Sequence, residues 1–189
     1  MNLSLLWRIL ISGWLASEIV IGIATRTRQS TGKVRDRGTL AILWIVIVAS
    51  ITACEWIGDR SRANMFGGGR WLRTVSDGLM IVGLAVRWTA ILTLGKAFSS
   101  NVAIQQSQSI QRSGLYRIVR HPSYLGLLII FFAIGVHSRN WPAFAVVMVP
   151  TTAALLYRIH VEEIALRDAF GAEYAEYGKS TKRLIPGIY

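Results

Sequence analysis

Gly114-Leu-Tyr-Arg-Ile-Val-Arg-His-Pro-Ser-Tyr-Leu-Gly126 is the densest run of polar chemistry in an otherwise oily sequence. A polar linker, residues 96–113, precedes it, and an apolar run, residues 125–136, grows out of it. Pro122 reads as the first residue of a helix, because its missing N–H is an orphan there and its φ is already helical. The N–H groups from Ser123 onward then lack intrahelical partners and face whatever lies beside His121, which makes the helix foot a ready site for an anion. The stretch thus gathers an imidazole, the Tyr124 phenol, two arginines and backbone donors at one end of an apolar helix. Two readings stand: a basic flank that anchors the helix to headgroups, or a binding site at a membrane surface.

Working outward, the 189 residues are 52% hydrophobic with a mean hydropathy of +0.42, a membrane composition that fits one helical bundle rather than two large domains. Five apolar runs can be read, at residues 3–24, 39–57, 77–95, 122–137 and 141–157. A helix crosses the hydrocarbon core with about 20 residues, within a range of about 17–25. The expected fold is therefore all-α, an integral membrane bundle of about five transmembrane helices. Only Ser138, Arg139 and Asn140 join the last two runs, so a tight helical hairpin is expected, with a re-entrant pair as the alternative. The first run reads as a retained helix: no basic region precedes it, Arg8 lies within it, and no small-x-small site precedes Arg26.

Charge sets the expected orientation. The formal net charge is +11, from 21 Lys+Arg against 10 Asp+Glu. The cations sit between apolar runs, where they set topology and meet anionic lipid, so membrane lipids and not nucleic acid are the expected partners. With five spans, fourteen cations fall on the side of the quoted stretch and six on the other. The fourteen are expected to face the cytoplasm, with the N-terminus outside and the C-terminus inside. Arg87 is left within the third span, where it pairs with Glu18 or Glu55 or lines a cavity. The single Cys54 and the scattered His121, His137 and His160 predict no disulfide and no metal site. Gly67-Gly68-Gly69 lacks a strand–helix context and reads as a turn on the outer side, not a phosphate loop.

After residue 157 the pattern changes. Leu166, Phe170, Tyr174 and Tyr177 recur at helical spacing with charges between them, predicting a cytoplasmic amphipathic helix that continues the fifth span and stops at Gly178. The tail is expected to pack back on the bundle or the membrane surface. Arg158, His160, Glu162 and Glu163 open this helix, and Arg158 and Glu162 share one face. Because the last two spans are antiparallel neighbours, this cluster lies at the depth of His121. A carboxylate and an arginine then meet backbone donors, His and Tyr, a pocket suited to a small zwitterionic ligand. The chain divides into residues 1–76, two helices and basic loops, and residues 77–189, the core that carries both clusters.

In Gly114-Leu-Tyr, Arg120-His-Pro-Ser-Tyr124, Gly126, Arg158, Glu162-Glu163, Phe170-Gly-x-x-Tyr174-x-x-Tyr177 and Arg183-x-Ile-Pro186, the sequence resembles the isoprenylcysteine carboxyl methyltransferases. Thr93-Leu-Gly95 and Phe98 fit as well, and the resemblance covers roughly residues 77–189. It implies a membrane methyltransferase using S-adenosylmethionine (SAM). Tyr116, His121, Pro122, Ser123, Tyr124 and Glu162 would line the cofactor site, and Arg158 would face the substrate. The linker positions Gln108, Ser109, Ile110 and Gln111 fall where the family touches cofactor, although the family commonly has His at the first and an apolar residue at the last. The resemblance further implies a lipophilic acceptor entering from the bilayer, with the linker covering the cofactor.

Methyl transfer to a carboxylate needs no general base at neutral pH, since the nucleophile is already ionised. N-methylation of an aminolipid, the alternative within the same chemistry, needs a carboxylate base, for which Glu163 or Glu162 is placed. A nicotinamide-dependent (NADPH) membrane reductase shares a His-Pro-x-Tyr ending, but the Arg158 and Glu162-Glu163 cluster favours the methyltransferase. A purely structural or lipid-binding protein explains the basic loops and not the convergence of the two clusters.

Overall fold

The computed structural model describes residues 4–24, 32–34, 38–60, 70–95, 98, 103–105 and 109–189. Among the described residues five helices make the bundle: α1 (Leu5–Ala24), α2 (Thr39–Arg60), α3 (Arg70–Leu94), α4 (Pro122–Ser138) and α5 (Trp141–Ser180). Four are long and apolar enough to cross a membrane, and α4 is a shorter apolar helix of 17 residues. Leu5, Ile9, Ile19, Ile45, Leu92 and Val149 stand exposed on the outer faces. Helices apolar all round belong in lipid, and the chain is an all-α, multi-pass integral membrane protein. The third helix starts at Arg70, before the expected residue 77. Its first turns carry the buried Leu72 and Ser76, so this segment has a packing partner despite its charges.

Two glycines set the closest helix crossing. A Cβ on Gly126 would lie 2.7 Å from the Arg87 nitrogen and 2.8 Å from the Gly83 carbonyl oxygen. Small residues let the α3 and α4 backbones touch in lipid, and the touch brings Arg87 to the foot of α4. The α4–α5 connection is the tight hairpin expected. Arg139 takes a left-handed φ of 53°, and Asn140 Oδ1 accepts the Ala143 N–H at 3.0 Å, capping α5.

The ends of the bundle are chemically distinct. At one, the Trp7 ring stacks on His137 with centroids 3.8 Å apart, and Ser76 Oγ lies 3.0 Å from His137 Nδ1. At the other, the starts of α2 and α4 meet the end of α3 and Arg158 of α5. The C-terminal tail joins this second end. Arg120 N–H donates to the Lys182 carbonyl at 2.8 Å, His121 N–H to the Arg183 carbonyl at 3.1 Å, and Lys182 N–H to the Ile118 carbonyl at 3.1 Å.

Two details depart from expectation. Gly178 does not end α5: it stays helical, and its carbonyl accepts a bond from Arg120 at 3.1 Å. The helix continues because Tyr174 and Tyr177 keep a buried stripe facing the bundle. The interruption falls instead at Gly171, whose φ of 50° and ψ of −123° break the helical path. In addition, β1 (Gly32–Val34) and β2 (Ala103–Gln105) pair antiparallel, joining the loop after α1 to the linker before α4. Gln108 and Gly67-Gly68-Gly69 lie outside the described residues.

Candidate active site

A short 3-10 turn, Gly114–Arg117, delivers the chain to His121. Tyr116 is buried there: its hydroxyl donates to the Ala90 carbonyl at 3.3 Å, and its own carbonyl accepts the Tyr177 hydroxyl at 2.6 Å. Pro122 opens α4 as expected, with His121 as the N-cap. The row of open N–H donors is shorter than expected. Tyr124 and Leu125 N–H both reach the His121 carbonyl at 3.1 Å, so the first turn closes on its own cap. Ser123 is turned toward α3, its Oγ and carbonyl accepting from Arg87 Nη1 at 2.6 and 3.3 Å.

Arg87 completes a buried ion pair with Glu18 and not with Glu55, which is exposed. Arg87 Nε donates to Glu18 Oε1 and Nη2 to Oε2 at 2.6 Å, while Trp14 Nε1 adds a bond to Oε1 at 3.3 Å. The pair ties α1 to α3 and also lines a cavity, so both readings of Arg87 hold. Trp14, Ile21, Leu43, Trp44, Ile47 and Leu127 form most of the cavity wall, and Glu18, Arg87, Tyr124 and Arg158 its polar edge.

The second cluster arrives from α5. His121 Nδ1 lies 3.9 Å from Glu162 Oε2, and Nε2 lies 3.6 Å from Glu163 Oε1. Both separations exceed hydrogen-bond length. Glu163 is a hub for three guanidinium groups: Arg120 at 3.1 Å, Arg183 at 3.0 Å and Arg167 at 3.2 Å. Burial pushes its carboxyl pKa up, but His121, Arg120 and Arg183 together outweigh burial and hold it down at about 2. Arg158, also buried, donates from Nε to the Tyr124 hydroxyl at 3.0 Å and from Nη1 to Thr39 Oγ1 at 2.8 Å. His160 is exposed and stays out of the cluster.

Four buried polar atoms around this junction, His121 Nε2, Glu162 Oε2, Arg183 Nε and the Tyr174 hydroxyl, have no hydrogen-bond partner among the described residues. Such atoms are rare in native proteins and mark a place for a ligand or water. In the linker, Ser109 is exposed and Ile110 half-buried. Gln111 uses both ends of its amide as a clasp, donating to the Thr93 carbonyl at 3.0 Å and accepting the Arg112 N–H at 3.0 Å. The sequence reading placed Arg120 beside His121 but missed its bond to Glu163, and it missed Thr39, Arg183 and the Tyr174 hydroxyl at this junction. In sequence Tyr174 stands as one position of an amphipathic stripe and of the Phe170–Tyr177 motif, with nothing that points its hydroxyl at this junction, and Thr39 carries no local signal.

Residues 76–168 match the model of the Isoprenylcysteine carboxyl methyltransferase (ICMT) family. The matched segment is similar to that family. Among the relatives, Protein-S-isoprenylcysteine O-methyltransferase B of Arabidopsis thaliana is 34% identical over 125 residues, 62% of this chain and 61% of its own. Methanethiol S-methyltransferase 1 of Bradyrhizobium diazoefficiens is 42% identical over 72 residues, 38% of this chain and 24% of its own. The chain thus spans about 61% of the length of the Arabidopsis ICMT-family relative. A solved structure of the eukaryotic intramembrane Ras methyltransferase ICMT superposes with a TM-score of 0.59 at 24% identity. The match covers 79% of this chain and 51% of that one, and it shows the ICMT fold.

Proposed function

We propose that the chain is a membrane methyltransferase that transfers a methyl group from SAM to the carboxylate of a lipophilic, isoprenylcysteine-like acceptor. The observation that carries this reading is the junction of His121 and Glu162, 3.9 Å apart, with His121 Nε2, Glu162 Oε2 and the Tyr174 hydroxyl buried and without a hydrogen-bond partner among the described residues. Left without a ligand, each such atom costs roughly 1–3 kcal/mol. A ligand carrying cations and hydrogen-bonding groups satisfies a carboxylate beside an imidazole. When bound, SAM supplies an electrophilic methyl group. Tyr116, His121, Pro122, Ser123, Tyr124 and Glu162 are the residues assigned to hold it, and the linker residues Gln108, Ser109 and Ile110 are assigned to the same site from the family resemblance. Gln111 keeps that linker against α3.

Arg158 binds the acceptor carboxylate, for which a planar guanidinium is suited by paired hydrogen bonds. That carboxylate is ionised at neutral pH, so no base is required. Glu163, already engaged by three guanidinium groups, therefore acts by holding Arg120 and the tail against His121 and not as a proton acceptor. The apolar cavity between α1 and α2 receives the lipophilic part from the bilayer and keeps water from the transfer. In this reading the site faces the cytoplasm.

Calorimetry of SAM and of NADPH against the purified protein comes first. Transfer from labelled SAM to N-acetyl-S-geranylcysteine, phosphatidylethanolamine and methanethiol then follows. SAM binding with methylation of the thioether acid is expected. NADPH binding without SAM binding overturns the reading, and transfer confined to the amine or the thiol overturns the acceptor.

A further inference from the structure

Thr39 lies outside both the matched segment and the sequence resemblance, as the first residue of α2. It is nevertheless only 2% exposed, at a helix end where a threonine ordinarily meets water. Its Oγ1 accepts Arg158 Nη1 at 2.8 Å, while the Tyr124 hydroxyl accepts Nε at 3.0 Å. A guanidinium held at one nitrogen can still rotate about that bond. Held at two nitrogens, by groups on two different helices, its plane is fixed. Both acceptors are hydroxyls on neighbouring helices, so these two bonds set the orientation of the guanidinium. The same helix supplies Leu40, Leu43, Trp44 and Ile47 to the cavity that Arg158 edges.

We propose that Thr39 is the positioning residue for the acceptor end of the reaction: it fixes the plane of the Arg158 guanidinium, so that the fork meets the carboxylate of an acceptor whose lipophilic part lies along α2. This rests on the methyl transfer proposed above. Its consequence is that acceptor choice is set in part by α2, outside the segment that carries the family match. Chains that share residues 76–168 but present a different residue at the foot of α2 then differ in acceptor and not in cofactor.

The test compares Thr39→Val, which keeps the shape and removes the hydroxyl, with Thr39→Ser, which keeps the hydroxyl. SAM affinity is read by calorimetry, and kcat and KM for N-acetyl-S-geranylcysteine are read with labelled SAM. Thr39→Val should lower kcat/KM for the acid about tenfold with SAM affinity within twofold of the parent, and Thr39→Ser should restore kcat/KM to within about threefold. In a double-mutant cycle, Thr39→Val added to Arg158→Lys should cost less than twofold more, because the planar fork is already lost. Unchanged acceptor kinetics in Thr39→Val overturn the proposal. So does a parallel loss of SAM affinity, which makes Thr39 a support of the whole bundle, and so does full additivity with Arg158→Lys. If the parent protein binds SAM but methylates no acid, the acceptor reading fails and this proposal with it; if the parent turns over and only the Thr39 variants are silent, the failure is this proposal's alone.

Discussion

Glu162 and Glu163 are neighbours in sequence and opposite in circumstance. One carboxylate oxygen of Glu162 is buried without a hydrogen-bond partner among the described residues, whereas Glu163 is saturated by Arg120, Arg167 and Arg183. In the proposed function the first receives the ligand, while the second holds structure. Glu162→Ala should therefore weaken SAM binding by at least ~1 kcal/mol, the scale of a charge-assisted hydrogen bond, with little change in melting temperature; calorimetry beside a thermal scan separates the two effects. Glu163→Gln should instead destabilise the fold, by about 2 kcal/mol for bonds to charged groups, and the loss should depend on pH. The folded carboxyl sits at about 2, below its ordinary value of 4.5. A depressed carboxyl pKa stabilises the fold fully above the unfolded value and loses that contribution as pH falls through the folded one. The melting-temperature gap between parent and Glu163→Gln should be constant above pH 4.5 and shrink toward pH 2, the window set by those two values. A gap independent of pH would show that the three guanidinium contacts do not act through the charge of Glu163.

At the scale of elements, the α3–α4 crossing decides where the chemistry sits. A Cβ on Gly126 would meet the Arg87 nitrogen at 2.7 Å and the Gly83 carbonyl oxygen at 2.8 Å, both backbone atoms that cannot rotate away. Gly126→Ala should push α4 off α3 at a cost of about 1–3 kcal/mol. The melting temperature should fall by several degrees, and SAM affinity should fall with it as Ser123 leaves Arg87. Gly13→Ala, at a position with open space around it, is the matched control and should do neither. Equal melting temperatures for the two variants would sink the idea that this contact sets the helix spacing. The helices themselves were legible in sequence, because runs of apolar residues long enough to span a bilayer have few other folds open to them. The helix start at Pro122 and the hairpin at Ser138–Asn140 were legible for local reasons of φ and capping. The Gly83–Gly126 contact was not, since a glycine in an apolar helix announces no partner. Nor was the stop of α5: Gly178 looked like a terminus by residue type, but the docking of Tyr177 on the Tyr116 carbonyl carries the helix past it. Of the site, the His121 and Glu162-Glu163 convergence followed from antiparallel depth alone. Thr39 and Tyr174 needed coordinates, because each contributes one hydroxyl whose meaning depends on what lies across from it.

For the whole molecule, charge and geometry bear on the same question of orientation. The first turns of α1 lie at the His137 end of the bundle, through the Trp7 stack, while the tail is bonded to Ile118, Arg120 and His121 at the other. The first turns of α1 and the C-terminal tail therefore sit at opposite ends of the bundle, the arrangement expected of five spans. The sequence reading assigns fourteen cations to the side of His121 and six to the other. Cationic loops are retained on the cytoplasmic side, and anionic lipid there attracts each exposed Lys or Arg by about 1 kcal/mol. The orientation this predicts has residue 4 outside and residue 179 inside. It can be read with a membrane-impermeant maleimide on Ser4→Cys and Lys179→Cys, each made in a Cys54→Ala background although Cys54 is itself buried. In intact cells Ser4→Cys should label and Lys179→Cys should not; after permeabilisation both should label. Labelling of Lys179→Cys in intact cells would place His121, Glu162 and Arg158 on the outer face, away from the intracellular pool of SAM, and so would count against the proposed chemistry as well as the topology.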